Sequence, residues 1–268
     1  MRASLAEFLP NCAHVFAGSW PQARHLRAIA GESCPAISID GDPIDLENYD
    51  SSCVPVVQGR VEHAAGQPFR MIWEGYVDNV PHLIVCAEAV RRLAGEIPVT
   101  VVVVTSRARR TPFFGTSDNQ VLAERLFGAG IVEFHEWTPE AIAPLMRSAH
   151  AGLSPAFLGD MFNAARPPNK AILVNHMGLP VVASPTDANR GFVTDGINGF
   201  LADSSDEWYA ALRTLAFDRK AAARMGRYGR EKAAAFHPDA VVGRMLAALG
   251  ELPVERAESP GELPRVLA

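Results

Sequence analysis

The chain has 268 residues, 48% of them apolar and 21% charged, with a formal net charge of −5. That is the composition of an ordinary globular protein of one large domain, or of one domain with a piece of another. It gives no reason to expect a nucleic-acid partner, and no run of about 18 apolar residues suggests a membrane span.

Residues 13–19 read as a buried strand, 21–30 as a helix stopped at Gly31, and 34–40 as a second strand. From Gly41 to Gln67 the Gly, Pro and Ser residues break any periodicity, as in a linker or domain boundary. A regular alternation then begins. Strands are expected at 69–74, 99–104, 131–134, 150–155 and 180–184, with helices at 81–94, 119–127, from Thr138 onward, and at 169–177. The run Val-Thr-Val-Val-Val-Val at 99–104 suits a strand buried on both faces of a parallel sheet. Thr138 followed by Pro139 is a good helix entry, and Gly178 a left-handed helix stop. Beyond Asp203 the sequence predicts surface helices at 207–217, 219–236 and 240–249, then a frayed tail rich in Pro and Glu. The alternation makes the fold class α/β: a Rossmann-like parallel sheet with helices on both faces.

In such a sheet the ligand crevice lies at the carboxyl ends of the strands. The loops there are 75–79, 106–110, 135–138 and 155–169, with the turn near Asp203. The last loop, long for two buried elements, leads through Pro167 and Pro168 into the helix opening at Asn169 and Lys170. Free amides and partial positive charge at a helix start suit a phosphate. Lys170 adds a point charge there, and Arg107, Arg109 or Arg110 can assist from a neighbouring loop. Trp137 can stack on a base or simply cover the core. Asp40-Gly41-Asp42 reads as a turn rather than a metal motif, and Gly152-Leu153-Ser154-Pro155-Ala156 lacks the last glycine of a nucleophile elbow. No GxGxxG or GxxxxGK phosphate loop occurs. Cys12, Cys34, Cys53 and Cys86 form no CxxC pair and read as reduced thiols, neither a disulfide set nor a metal site. With no signal-peptide pattern at the start, the expected location is cytoplasmic.

Four phrases occur in order: Pro-Asn-Lys before a helix, Gly-Leu-Pro-Val-Val after it, Asp-Gly-Ile-Asn-Gly-Phe-Leu, and Met-Gly-Arg-Tyr-Gly-Arg. Together they resemble the C-terminal, donor-binding domain of GT-B-fold glycosyltransferases of the group 1 or family 4 type. The resemblance implies residues 1–50 as the remnant of an N-terminal Rossmann-like domain and 51–68 as a linker. It makes 69–250 the nucleotide-sugar-binding domain and 251–268 a flexible tail. It implies sugar transfer from a nucleotide sugar to an unknown acceptor, retaining and metal-independent, with no cofactor beyond the donor. Lys170 and Asp160 would be catalytic. Phe162, Asn163, Asn169 and Lys170 would hold the diphosphate, and Gly75, Asn79, Ser106, Arg107, Trp137 and Met161 would bind the rest of the donor. The sequence departs from the family pattern where a helix glutamate falls at Leu173, and where the loop at 75–79 carries no Arg or Lys. Two alternatives follow: a non-catalytic subunit paired with a partner chain or second copy that supplies the missing N-terminal half, and a sugar-nucleotide epimerase.

Overall fold

The computed structural model describes residues 2–49, 67–111, 115–159 and 165–250. It opens with helix α1 (Arg2–Phe8), strand β1 (His14–Ala17), helix α2 (Trp20–Ala30) and strand β2 (Ala36–Ile39), the two strands pairing in parallel. Ser19 caps α2 by accepting from the Gln22 amide, and Pro21 sits in the first turn, where its missing N–H costs nothing.

The main sheet begins with β3 (Phe69–Glu74), followed by α3 (Ile84–Ala94), β4 (Val99–Val104), β5 (Ala108–Thr111), β6 (Gly115–Asp118) and α4 (Asn119–Phe127). Next come β7 (Val132–His135), α5 (Pro139–Ser148), β8 (Ala151–Ser154), α6 (Asn169–His176), β9 (Val181–Ala183), α7 (Asp187–Phe192) and β10 (Gly199–Leu201). The chain continues through α8 (Ser205–Phe217), α9 (Arg219–Ala233) and α10 (Pro238–Gly250). Six strands form one parallel sheet in the order β10-β9-β8-β3-β4-β7. This is the α/β, Rossmann-like arrangement that the alternation predicts.

Strand β4 shows why the sheet is buried on both sides. Val101 and Val103 pack with Leu93 of α3, Phe127 of α4 and Trp208 of α8, whereas Val102 and Val104 pack with Ile142 of α5 and Ile172 and Val174 of α6. Each valine so buried contributes about 2 kcal/mol. Side-chain caps fix most of the helix starts: Asp118 for α4, Thr138 for α5, and a reciprocal Ser204–Glu207 box for α8. Gly178 takes φ 72° and ends α6 as expected.

Three stretches differ from the sequence reading. Residues 108–111 and 115–118 pair as antiparallel strands, β5 with β6, where an open crevice loop is expected. The helix expected from Pro81 starts at Ile84, after a tight turn at Val77–Leu83 that holds Pro81. Residues 41–49 are not a free linker. Ile44 and Tyr49 are buried in the core under α6, and the Ile44 amide donates to the Phe236 carbonyl at 2.8 Å. The linker at 51–68 falls outside the described residues except for Gln67 and Pro68, as does the tail at 251–268.

The N-terminal unit is bound to the rest of the chain at several points. Arg244 of α10 donates to the Asp40 carbonyl at 2.9 Å and to its carboxylate at 3.3 Å. The Ser19 hydroxyl donates to the Ala165 carbonyl at 2.6 Å. Asp40 is therefore a buried structural partner of Arg244 and Ser38, while Asp42 accepts from the Asn169 side-chain Nδ2. Cys12, Cys34 and Cys86 are free, and Cys53 lies outside the described residues. Among the described residues no helix is long and apolar enough to cross a membrane.

Candidate functional site

The chain leaves β3 toward β4 and β7 in one direction, and leaves β8 toward β9 and β10 in the other. Neighbouring connections therefore diverge at the carboxyl ends of β3 and β8, and a crevice opens where the strand order reverses. A cavity of about 320 Å³ occupies that point. Its walls are Trp73 to Tyr76 and Asn79 after β3, Ser154 to Ala156 after β8, and Arg166 to Lys170 with Leu173 at the start of α6. Thr186 and Asn189 close the far side.

Helix α6 has Pro168 at its cap position, and among the described residues no side chain caps its start. The first amides of a helix have no partner within the helix and suit a ligand or water. Lys170, in the first turn, reaches across the cavity floor and donates to the Glu74 carbonyl. Its ammonium lies 4.6 Å from the centre of the Trp73 ring, a cation–π contact. Burial pushes its pKa down to about 8, the nearby Arg166 adding to the effect and the Glu74 carboxylate opposing it. At pH 7 the group is still an ammonium. Gly75 makes this approach possible, because a Cβ there would sit 2.8 Å from the Lys170 nitrogen and 2.8 Å from the Trp73 ring.

Glu74 links the cavity to the N-terminal segment. The Tyr49 phenol lies near the Glu74 carboxylate and shares a cavity wall with Trp137. Burial, with the Glu74 charge second, raises the Tyr49 pKa. This second cavity, of about 260 Å³, is lined by Asp42 to Asp45, Tyr49, Trp137, Asn169, Ile172 and Leu173. His176 is buried and contacts the Tyr49 carbonyl at 3.0 Å through Nε2.

Of the residues singled out from the sequence, Gly75, Asn79, Asn169 and Lys170 line the larger cavity and Trp137 the smaller. Ser106 and Arg107 line neither. The Ser106 carbonyl accepts from buried Asn119, which also ties down the Val77 carbonyl. The Arg107 guanidinium is engaged by Asp118 at 2.9 Å across the β5–β6 hairpin. Asp160, Met161, Phe162 and Asn163 lie outside the described residues. Sequence reasoning passed over Arg166 and Glu74 as site residues. Arg166 immediately precedes Pro167 and Pro168, and that proline pair before a helix start was the available signal. Leu173 faces both cavities, so the family's glutamate position is occupied here by an apolar side chain. Among the described residues no three of His, Cys, Asp or Glu gather as a metal site would need.

Residues 69–218 match the family model described as glycosyl transferases group 1. No match is found among curated proteins. Among solved structures, Anabaena HepE in complex with UDP has 18% identity and a TM-score of 0.71, over 94% of this chain and 68% of that one. A glycosyltransferase from Rickettsia africae has 13% identity and a TM-score of 0.70, over 95% and 68%. The sucrose-phosphate synthase of Thermosynechococcus elongatus has 17% identity and a TM-score of 0.65, and the chain spans 61% of its length. At these identities the likeness is one of fold.

Proposed function

The chain belongs to the group 1 glycosyl transferases, and from that premise we propose that its switch-point cavity holds the diphosphate of a nucleotide-sugar donor for glycosyl transfer. One observation carries the reading: Lys170 and Arg166 meet the opening of α6 in a single cavity at the carboxyl ends of β3 and β8. A diphosphate there accepts from the first amides of α6 and from the lysine, while the sugar points toward Asn79 and the β8 loop. As the bond to the sugar breaks, negative charge grows on the departing diphosphate. An ammonium already stripped of much of its water stabilises that charge without reorganising. The proposed transfer needs no bound metal, proceeds with retention, and passes the sugar to an acceptor on the side of the N-terminal unit. UDP is the first nucleotide to test, because HepE is solved with UDP and with UDP and glucose.

Calorimetric titration with UDP, GDP, ADP and dTDP tests this reading. Saturable binding of one nucleotide, weakened about tenfold by Lys170→Ala (roughly 1.4 kcal/mol), is the expected result. No binding of any of the four at millimolar concentration contradicts it. A second reading, a non-catalytic subunit that binds the nucleotide beside a partner chain, is favoured by Leu173 in the cavity wall and by the loop after β3, which carries no cation. Nucleotide binding without turnover of the corresponding nucleotide sugar, with or without added acceptor sugars, would select it.

A further inference from the structure

A groove of about 610 Å³ runs between α2 of the N-terminal unit and α7, outside the cavity just described. Trp20, Arg24 and Arg27 line one side, and Asp187, Arg190 and Gly191 the other. Trp20, Arg24 and Arg27 stand at positions i, i+4 and i+7 of α2 and so share one helical stripe. Trp20 is 64% exposed, although Trp73 and Trp208 are fully buried. The Arg27 guanidinium lies 5.8 Å from the centre of its ring. Arg24 spans the groove to Asp187 at 2.8 Å, and Arg190 is steadied by the Pro185 carbonyl at 3.0 Å. Three arginines against one aspartate make this groove cationic on a chain whose net charge is −5.

An exposed indole offers a flat apolar face to the ring of a sugar, and guanidinium forks match carboxylate or phosphate. The groove also adjoins the donor cavity at two places. Helix α7 turns Asn189 to the cavity and Arg190 to the groove. Gly18, just before α2, lies so close to Pro167 of the cavity wall that a Cβ would come within 2.6 Å of that ring.

We propose that this groove binds an anionic saccharide, its sugar ring on Trp20 and its carboxylate or phosphate on Arg27 and Arg190, and that this saccharide is the acceptor. The acceptor role rests on the donor reading above; the binding site does not. In the transfer a saccharide hydroxyl oxygen bonds to the anomeric carbon as the bond from that carbon to the diphosphate oxygen breaks. The hydroxyl proton passes to the departing nucleoside diphosphate.

The test titrates trigalacturonate, glucose 6-phosphate and neutral maltotriose into the full chain, by calorimetry and tryptophan fluorescence, beside a UDP titration. The expected result is binding of an anionic sugar at least about tenfold tighter than maltotriose. Trp20→Ala and Arg27→Gln should each weaken it about fivefold or more, with UDP binding unchanged. Preference for trigalacturonate assigns carboxylate, and preference for glucose 6-phosphate assigns phosphate. Maltotriose binding as well as the anionic sugars, affinity indifferent to Trp20→Ala, or no saccharide bound at millimolar concentration would each overturn the site. Saccharide binding without any nucleotide binding keeps the site and removes the acceptor role together with the donor reading.

Discussion

The two sides of helix α6 are built on opposite principles. Behind it, Asn175 and Asn198 are matched within the protein. Asn175 donates to the carbonyls of Leu179 and Asn198, at 2.9 and 3.0 Å, while Asn198 donates back to Asn175 at 2.7 Å and accepts from the Thr194 amide at 2.6 Å. Helix α9 lies against this pair so closely that a Cβ on Gly226 would fall 2.1 Å from the Gly178 carbonyl. A Cβ on Gly229 would fall 2.5 Å from the Asn175 side chain. In front, Lys170 is held by one carbonyl and the face of an indole, at a cost that shows in its lowered pKa. Position is fixed on one side so that a poorly solvated charge can be kept on the other. Stability belongs to the back and the proposed anion binding to the front.

That division is broken most severely at the back. Gly226→Val drives a side chain into backbone and should cost about 3 kcal/mol or more in urea unfolding, with binding lost because the fold is lost. Asn198→Ala strands Asn175 and the Thr194 amide, and should cost about 2–3 kcal/mol. Its remaining folded protein should bind nucleotide with unaltered affinity, which calorimetry on the native fraction can read.

At the front the expectations reverse. Lys170→Met should leave the urea midpoint unchanged or raise it, since it removes a desolvated charge, and should weaken nucleotide binding about tenfold. Gly75→Ala, which crowds both the ammonium and the Trp73 ring beneath it, should weaken binding about threefold. Arg107→Ala, on the hairpin and paired with Asp118, should leave affinity as it is.

Lys170 also gives stability a defined pH dependence. Its folded pKa lies below its unfolded value, near 8 against 10.5. Between those values the unfolded chain binds more protons than the folded one, so this group's contribution to stability rises with pH across that window. Lys170→Met should remove the rise.

How much of this was legible in the sequence depended on whether the physics was local. The valines of β4, Thr138 with Pro139, and Gly178 each act within a turn or strand of themselves, and the α/β architecture follows from them. The Asp-Gly-Ile-Asn-Gly-Phe-Leu and Met-Gly-Arg-Tyr-Gly-Arg phrases could be matched as a resemblance. Their work, Asn198 pairing with Asn175 and Gly226 meeting Gly178, needs elements far apart in sequence. Lys170 stood out in the sequence because a helix start is itself a local signal, and it lines the cavity. Tyr49 looked like part of an irregular linker, and only burial under α6 makes it the partner of Glu74. Arg107 misled for the same reason, its partner Asp118 lying across a hairpin that no strong turn pattern announced.

The central claim is that the desolvated ammonium of Lys170 receives the anionic part of the ligand. It is tested most directly by titrating the bound nucleotide at about pH 9, above the lysine's folded pKa, in two buffers of different ionisation enthalpy. A diphosphate beside the amine favours its charged form, so binding should take up a proton in the wild type and none in Lys170→Met. Equal heats in the two buffers for the wild type, or proton uptake that survives the substitution, would contradict it.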